Sequence, residues 1–135
     1  MTRYFVAYLF TVVTFLAIDF VWLTQVARGF YFGRLGDLLL ESPRLGVAAA
    51  FYALFVVGLV YFAVAPALRD GSVMTALISG ALFGFFAYAT YDLTNYSTLK
   101  NWPLAVSLVD MAWGTVLCGV SATVGFLATR AVTSG

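Results

Sequence analysis

Four apolar stretches, each long enough to cross a bilayer, constrain this chain more than any other feature. They cover about residues 4–26, 45–65, 73–98 and 104–129. A helix needs roughly 20 predominantly apolar residues to span the hydrocarbon layer. Lipid offers no partner to backbone N–H and C=O groups, so a span of this length must satisfy them internally, as a helix does. Composition agrees: 63% of residues are hydrophobic and 10% charged, with mean hydropathy +0.98. A soluble domain carries roughly 25% charged residues, so lipid is the expected solvent here. The expected fold is all-α: one polytopic integral membrane domain over residues 1–135, a four-transmembrane-helix bundle. The connections are about 18, 7 and 5 residues long, and the short ones make helices two, three and four antiparallel neighbours. The first span is expected to be retained rather than cleaved as a signal peptide. Its apolar run is long, it contains Asp19 and Trp22, and no small-x-small cleavage site follows closely.

The first connection, 29–44, reads GFYFGRLGDLLLESPR. Its aromatics, its Leu38-Leu39-Leu40 run and its four charges suit the membrane interface. It is read either as a partly ordered loop or as a short amphipathic segment that lids a cavity. Pro43 is expected to set the start of the second helix. Arg28, Arg34, Arg44 and Lys100 fall on one membrane face, and Arg3, Arg69 and Arg130 on the other. Four against three favours cytoplasmic first and third connections, with both termini outside.

Several function classes are excluded early. There is no histidine, so histidine-held haem, histidine-clustered di-iron centres and histidine-based zinc sites lack ligands, and so does a nucleophilic triad built on histidine. The lone cysteine, Cys118, cannot form an internal disulfide and is read as a small packing residue. Net charge is +1, which gives no footprint for nucleic acid. No cofactor or metal is expected.

Ionisable groups within a span cost about 2.5–3.5 kcal/mol or more at the bilayer centre, yet three of the six acids lie there: Asp19, Asp92 and Asp110. Asp19 precedes Arg28 by nine residues and Asp92 precedes Lys100 by eight, while Asp110 follows Lys100 by ten. At 1.5 Å per residue these offsets are roughly 13, 12 and 15 Å. All three acids therefore lie near one level, in the half of the bilayer adjoining the first and third connections. Clustered and buried, at least one is expected to be protonated near neutral pH.

Polar and aromatic residues share their helical faces at spacings of three and four. Asp19 aligns with Trp22. Tyr88, Asp92 and Asn95 align, flanked by Tyr91 and Thr94. Ser107, Asp110, Trp113 and Gly114 align. Asn95 and Tyr91 are expected to orient Asp92, and Trp22 and Trp113 to form stacking walls. Helix two offers only Tyr52 and Tyr61 as large polar-tipped residues and is read as an apolar wall. Lys100 is either an interface anchor or a snorkelling partner for Asp92 or Asp110. Trp22, Tyr31, Tyr96 and Trp102 fall where aromatic belts form. Gly80-x-x-x-Gly84 is a close-packing motif, within the bundle or in a dimer. DFVWLT at 19–24 and DMAWGT at 110–115 both read D-x-x-W-x-T on oppositely directed helices, an echo of the inverted repeats of transporters.

The run YDLTNYSTLKNWPLAVSLVDMAWG at 91–114, together with the D-x-x-W of helix one, resembles the bacterial inner-membrane proteins grouped as domain of unknown function 2177. The residues that carry it are Asp19, Trp22, Tyr91, Asp92, Thr94, Asn95, Thr98, Leu99, Trp102, Pro103, Asp110, Trp113 and Gly114, and the likeness extends over essentially the whole chain. It implies a multi-pass fold in the bacterial inner membrane and no particular reaction.

Three functions remain open to the residues. One is a small transporter or binder of a lipid-soluble or cationic small molecule, expected to act as a homodimer because four helices make a thin transport unit. Its cavity would be built from Asp19, Trp22, Tyr88, Tyr91, Asp92, Asn95, Ser107, Asp110 and Trp113. Another is a membrane-embedded enzyme acting on a lipid or isoprenoid, with Asp92 and Asp110 as acid and base or holding a divalent cation. The third is a non-catalytic scaffold whose acids knit the helices together. The first is the preferred expectation.

Overall fold

The computed structural model describes residues 2–39 and 44–133. Five helical elements follow one another: α1 (Thr2–Val26), α2 (Arg28–Leu35), α3 (Leu45–Asp70), α4 (Val73–Thr98) and α5 (Leu104–Val132). All but α2 are long and apolar enough to cross a membrane. The four-helix all-α fold is therefore the one the apolar runs predict. Much of its apolar side-chain surface points outward, including Phe5, Phe20, Leu45, Leu54 and Phe86. In water that surface would be a liability, and in lipid it is the required coat.

The boundaries depart from expectation at one connection. The second span was expected to end near residue 65, but α3 continues through Pro66 to Asp70. A proline inside a helix removes a donor and crowds the carbonyl four residues back. Here the helix widens into a π-turn over Val60–Val64, in which the Ala65 N–H reaches the Val60 carbonyl, and the ring is accommodated at the start of the next α-helical turn. Two residues then suffice to reverse the chain. Gly71 takes the left-handed conformation (φ +68°) that its missing side chain permits, and the Ser72 hydroxyl caps α4 at the Thr75 N–H. The connection is thus two residues rather than about seven. The others keep their expected lengths.

α5 lies at the centre, flanked by α4 on one side and α1 on the other. Its contact with α4 is close because both helices present small residues. A Cβ at Gly80 would meet the Ala122 Cβ at 2.7 Å and the Cys118 carbonyl at 2.8 Å, and one at Gly84 would run into the Gly114 carbonyl. The Gly80-x-x-x-Gly84 motif is spent inside the bundle. Cys118 is fully buried in this seam. Further along, Gly125 receives Thr11 of α1.

α3 behaves differently along its length. Its C-terminal half, Val56 to Leu68, packs into the main core with Phe15, Leu117 and Phe126. Its N-terminal half stands off α4, and side chains such as Val47, Phe51 and Leu54 are exposed. The bundle is tight at the end bearing Arg3, Arg69 and Arg130 and splayed at the end bearing the aspartates. The expectation placed on Pro43 lies outside the described residues.

Candidate functional site

The splay leaves a cavity of about 790 Å³ between α1, α3, α4 and α5, to whose lining the described part of the first connection adds Phe32, Leu38, Leu39 and Arg44. Phe15, Phe51 and Phe55 line its depth, while Trp22, Tyr88, Tyr91 and Trp113 line its upper walls. Two carboxyls, Asp19 and Asp110, face it. Helix α2 and the short 3-10 turn Gly36–Leu38 hold Phe32, Leu38 and Leu39 over the opening, and Arg44 sits at its rim. Arg28 lies over the Phe32 ring and Arg34 over that of Phe30.

The three acids come together, as their common depth predicts, but in three different settings. Asp19 is buried and accepts a hydrogen bond from the Trp113 indole N–H at 3.0 Å, and the Tyr52 hydroxyl also faces it. Asp110 is half-buried and accepts from the Tyr31 hydroxyl at 2.8 Å. That hydroxyl in turn accepts from the Trp22 indole at 3.2 Å. The Trp22 and Trp113 rings lie flat on one another, 4.2 Å apart and 7° from parallel, an arrangement worth about 0.5–1.5 kcal/mol beyond burial.

The two D-x-x-W-x-T hexapeptides are therefore used in the same way. Each tryptophan serves the aspartate of the other motif, Trp113 directly and Trp22 through Tyr31. The threonines match as well: Thr24 donates to the Phe20 carbonyl and Thr115 to that of Met111.

Asp92 is the exception. It has no exposed surface, and neither carboxyl oxygen receives a hydrogen bond among the described residues. Its titratable neighbour across the seam is Asp110, one turn along α5 from the Ser107 that holds the Asp92 backbone carbonyl, and two ionised carboxylates cannot bond to each other. Asn95 and Tyr91 do not orient Asp92, contrary to expectation. On a helix the side chain next to Asp92 points about 100° away, so Tyr91 turns toward Trp102, with rings 5.8 Å apart. The Asn95 amide faces Tyr91, one turn back. Lys100 is exposed at the helix end and pairs with neither acid among the described residues.

Of the nine residues expected to form the cavity, Asp19, Trp22, Tyr88, Tyr91, Asp110 and Trp113 line it. Asp92, Asn95 and Ser107 do not. Ser107 is fully buried where α4 meets α5. It donates to the Asp92 backbone carbonyl at 2.8 Å and accepts from the Trp102 indole at 3.0 Å. Trp102 can fold back because Asn101 adopts a left-handed φ of +61° in the turn, a conformation asparagine tolerates better than most residues. Tyr88 covers Gly114, where any Cβ would strike its ring.

A family described as "Predicted membrane protein (DUF2177)" matches residues 4–127. The chain belongs to the DUF2177 family. No curated protein and no solved structure matches it. Membership agrees with the helices in making this DUF2177 chain a multi-pass membrane protein, and the matched segment contains the whole acid and tryptophan network.

Sequence reasoning missed two members of that network. Tyr31 reads as a belt aromatic, yet it bridges Trp22 and Asp110. Burial beside the Asp110 carboxylate holds its phenol above the ordinary range, so it remains an O–H donor at any physiological pH. Its place on α2, three residues beyond Arg28, is the signal that was available. Tyr52 stands on the expected apolar wall but turns its hydroxyl to Asp19. Among the described residues, no group of three acidic, cysteine or histidine side chains converges as a metal-ligand set.

Proposed function

We propose that this protein binds a lipid-soluble cation in the cavity beneath α2 and carries it across the bacterial inner membrane as a small transporter. One observation carries the reading. Asp19 and Asp110 face a cavity whose other walls are aromatic and aliphatic apart from Arg44 at the rim, and neither is paired with a lysine or arginine among the described residues. Its volume of about 790 Å³ lies within the range of roughly 300–1,000 Å³ usual for small-molecule sites. Carboxylates supply the countercharge, and the faces of Trp22, Tyr52 and Trp113 supply cation–π attraction, about 2 kcal/mol for a desolvated cation. Because α3 stands off α4 on the acid side, a ligand dissolved in lipid has a lateral way in. Four helices enclose one cavity of this kind, so the transporting unit we propose is a homodimer.

The scaffold reading accounts for Asp19 and Asp110, whose donors come from other helices. It gives no reason for these two acids to face an open, largely apolar cavity.

The test is titration of the purified protein, in lipid nanodiscs, with tetraphenylphosphonium and with neutral triphenylphosphine oxide. Tryptophan fluorescence is the readout, because two of the three tryptophans line the cavity. Saturable quenching by the cation, a Kd raised at least about tenfold (~1.4 kcal/mol) in Asp110→Asn, and weak binding of the neutral compound are expected. Equal binding of the two compounds, or an unchanged Kd in both Asp110→Asn and Asp19→Asn, overturns the reading.

A further inference from the structure

We propose that Asp92 and Asp110 hold a single proton between them, and that a cation seating against Asp110 expels it. The inference rests on the cation-binding reading for its second half only. The geometry makes one member of the pair hidden and the other shared. Asp92 has no exposed surface and no donor to either oxygen among the described residues. Asp110 lines the cavity with its Oδ1 held by Tyr31, and it lies one turn along α5 from Ser107, which bonds the Asp92 backbone carbonyl and so brings the two acids together across the α4–α5 seam. A buried ionised carboxylate without a donor or a countercharge is unfavourable, and a second carboxylate beside it makes matters worse. One proton resolves both problems, because it turns the repulsion into a short charge-assisted O–H···O bond.

The surroundings supply no other remedy. From α5 the titratable group facing Asp92 is Asp110, from α2 it is Tyr31, and on α4 itself it is Tyr91. Asp19 on α1 acts on Asp110, and α3 contributes Tyr52 toward Asp19. None of these is a cation; Arg44 lines the cavity that Asp110 faces but pairs with neither acid among the described residues. The neighbouring donors Ser107 and Trp102 are committed to the Asp92 backbone carbonyl and to each other. Asp110 lines the cavity and Asp92 does not, so the proton's route to the cavity runs by Asp110.

The exchange balances in atoms and charge. Before binding, one carboxyl and one carboxylate carry a net charge of −1. As a monovalent cation settles beside Asp110, the shared O–H bond breaks and the proton leaves through the cavity to bulk water. Two carboxylates and one cation then also carry −1. The buried charge is constant, which is what a low-dielectric site requires of an ion exchange.

Infrared spectroscopy of the ligand-free protein in lipid tests the first half. The C=O stretch of a protonated aspartic acid is expected at neutral pH in the wild type and in Asp19→Asn, and is expected to be lost in Asp92→Asn. If Asp92→Asn does not fold, the wild-type band is assigned by carboxyl-labelled aspartate. A spectrum with no protonated-aspartate band, or one unaltered in a folded Asp92→Asn, overturns the shared proton. For the second half, tetraphenylphosphonium is added to the wild type in weak buffer. Loss of the band, release of about one proton per bound cation, and a Kd that rises about tenfold per unit fall in pH support exchange. The pH dependence is expected to vanish in Asp92→Asn, whatever its affinity. Binding with the band intact and no proton released overturns the exchange. If the band is present and tetraphenylphosphonium binds to no form of the protein, the proton site stands and the cation reading fails.

Discussion

The two ends of this bundle are built from the same four spanning helices and differ in almost everything else. At the end bearing Arg3, Arg69 and Arg130, helices meet through glycine, alanine and cysteine, and the core around Phe15, Val64, Leu117 and Phe126 is closed. At the other end α3 leans out, and the space is occupied by rings, three carboxyls and a cavity. Lipid tails are as apolar as leucine, so helices gain nothing in a membrane by merely hiding apolar surface from it. Cohesion must come from close packing, and the closed end supplies it. The open end is then free to hold polar groups that contribute little to cohesion. One half is closed by packing and the other holds the cavity in which the proposed binding site lies.

That division is easiest to break at the closed end. Gly84→Leu forces a branched side chain against the Gly114 carbonyl and Cys118. It should cost at least about 3 kcal/mol, at the upper end of overpacking penalties, measured as loss of thermal stability in detergent. A stable Gly84→Leu protein would mean that the α4–α5 seam is not what holds the bundle. Asp110→Asn should show the opposite profile: at least tenfold weaker cation binding (~1.4 kcal/mol), with thermal stability lowered by less than about 1 kcal/mol. Loss of folding instead would return the acid to the scaffold. Trp113→Phe keeps most of the ring stack and removes the donor to Asp19. Its expected stability cost is about 0.6 kcal/mol, typical of a membrane interhelical hydrogen bond, with a modest rise in Kd. Tyr31→Phe should be the mildest. It removes the hydroxyl bridge between Trp22 and Asp110 on a segment outside the spans, and is expected to cost about 0.5 kcal/mol or less. Its useful readout is faster cation dissociation, because α2 covers the cavity.

The spanning helices and the convergence of the acids were legible because each depends on local counting. Apolar run length reports a span, and distance from the helix end reports depth. The partners of each acid were not legible in the same way. Helical spacing shows which residues share a face and says nothing about the azimuth at which that face meets its neighbours. Asn95 thus shares a stripe with Asp92 and yet turns to Tyr91. Ser107 aligns with Asp110 and yet stitches α4 to α5. The D-x-x-W-x-T echo pointed to two related segments. Their crossed pairing, each tryptophan to the other's acid, needed the third dimension. Pro66 misled the reading of the second span, because a π-turn ahead of it lets the helix continue.

The most direct test of the central claim, that the open end is a cation-binding site rather than a knot of polar contacts, is native mass spectrometry of the protein released from lipid with tetraphenylphosphonium present. The wild type would be compared with the Asp19→Asn/Asp110→Asn double variant. The account predicts a discrete mass addition of one cation per chain in the wild type and none in a folded double variant. Equal occupancy in the two, or none in either, would contradict it.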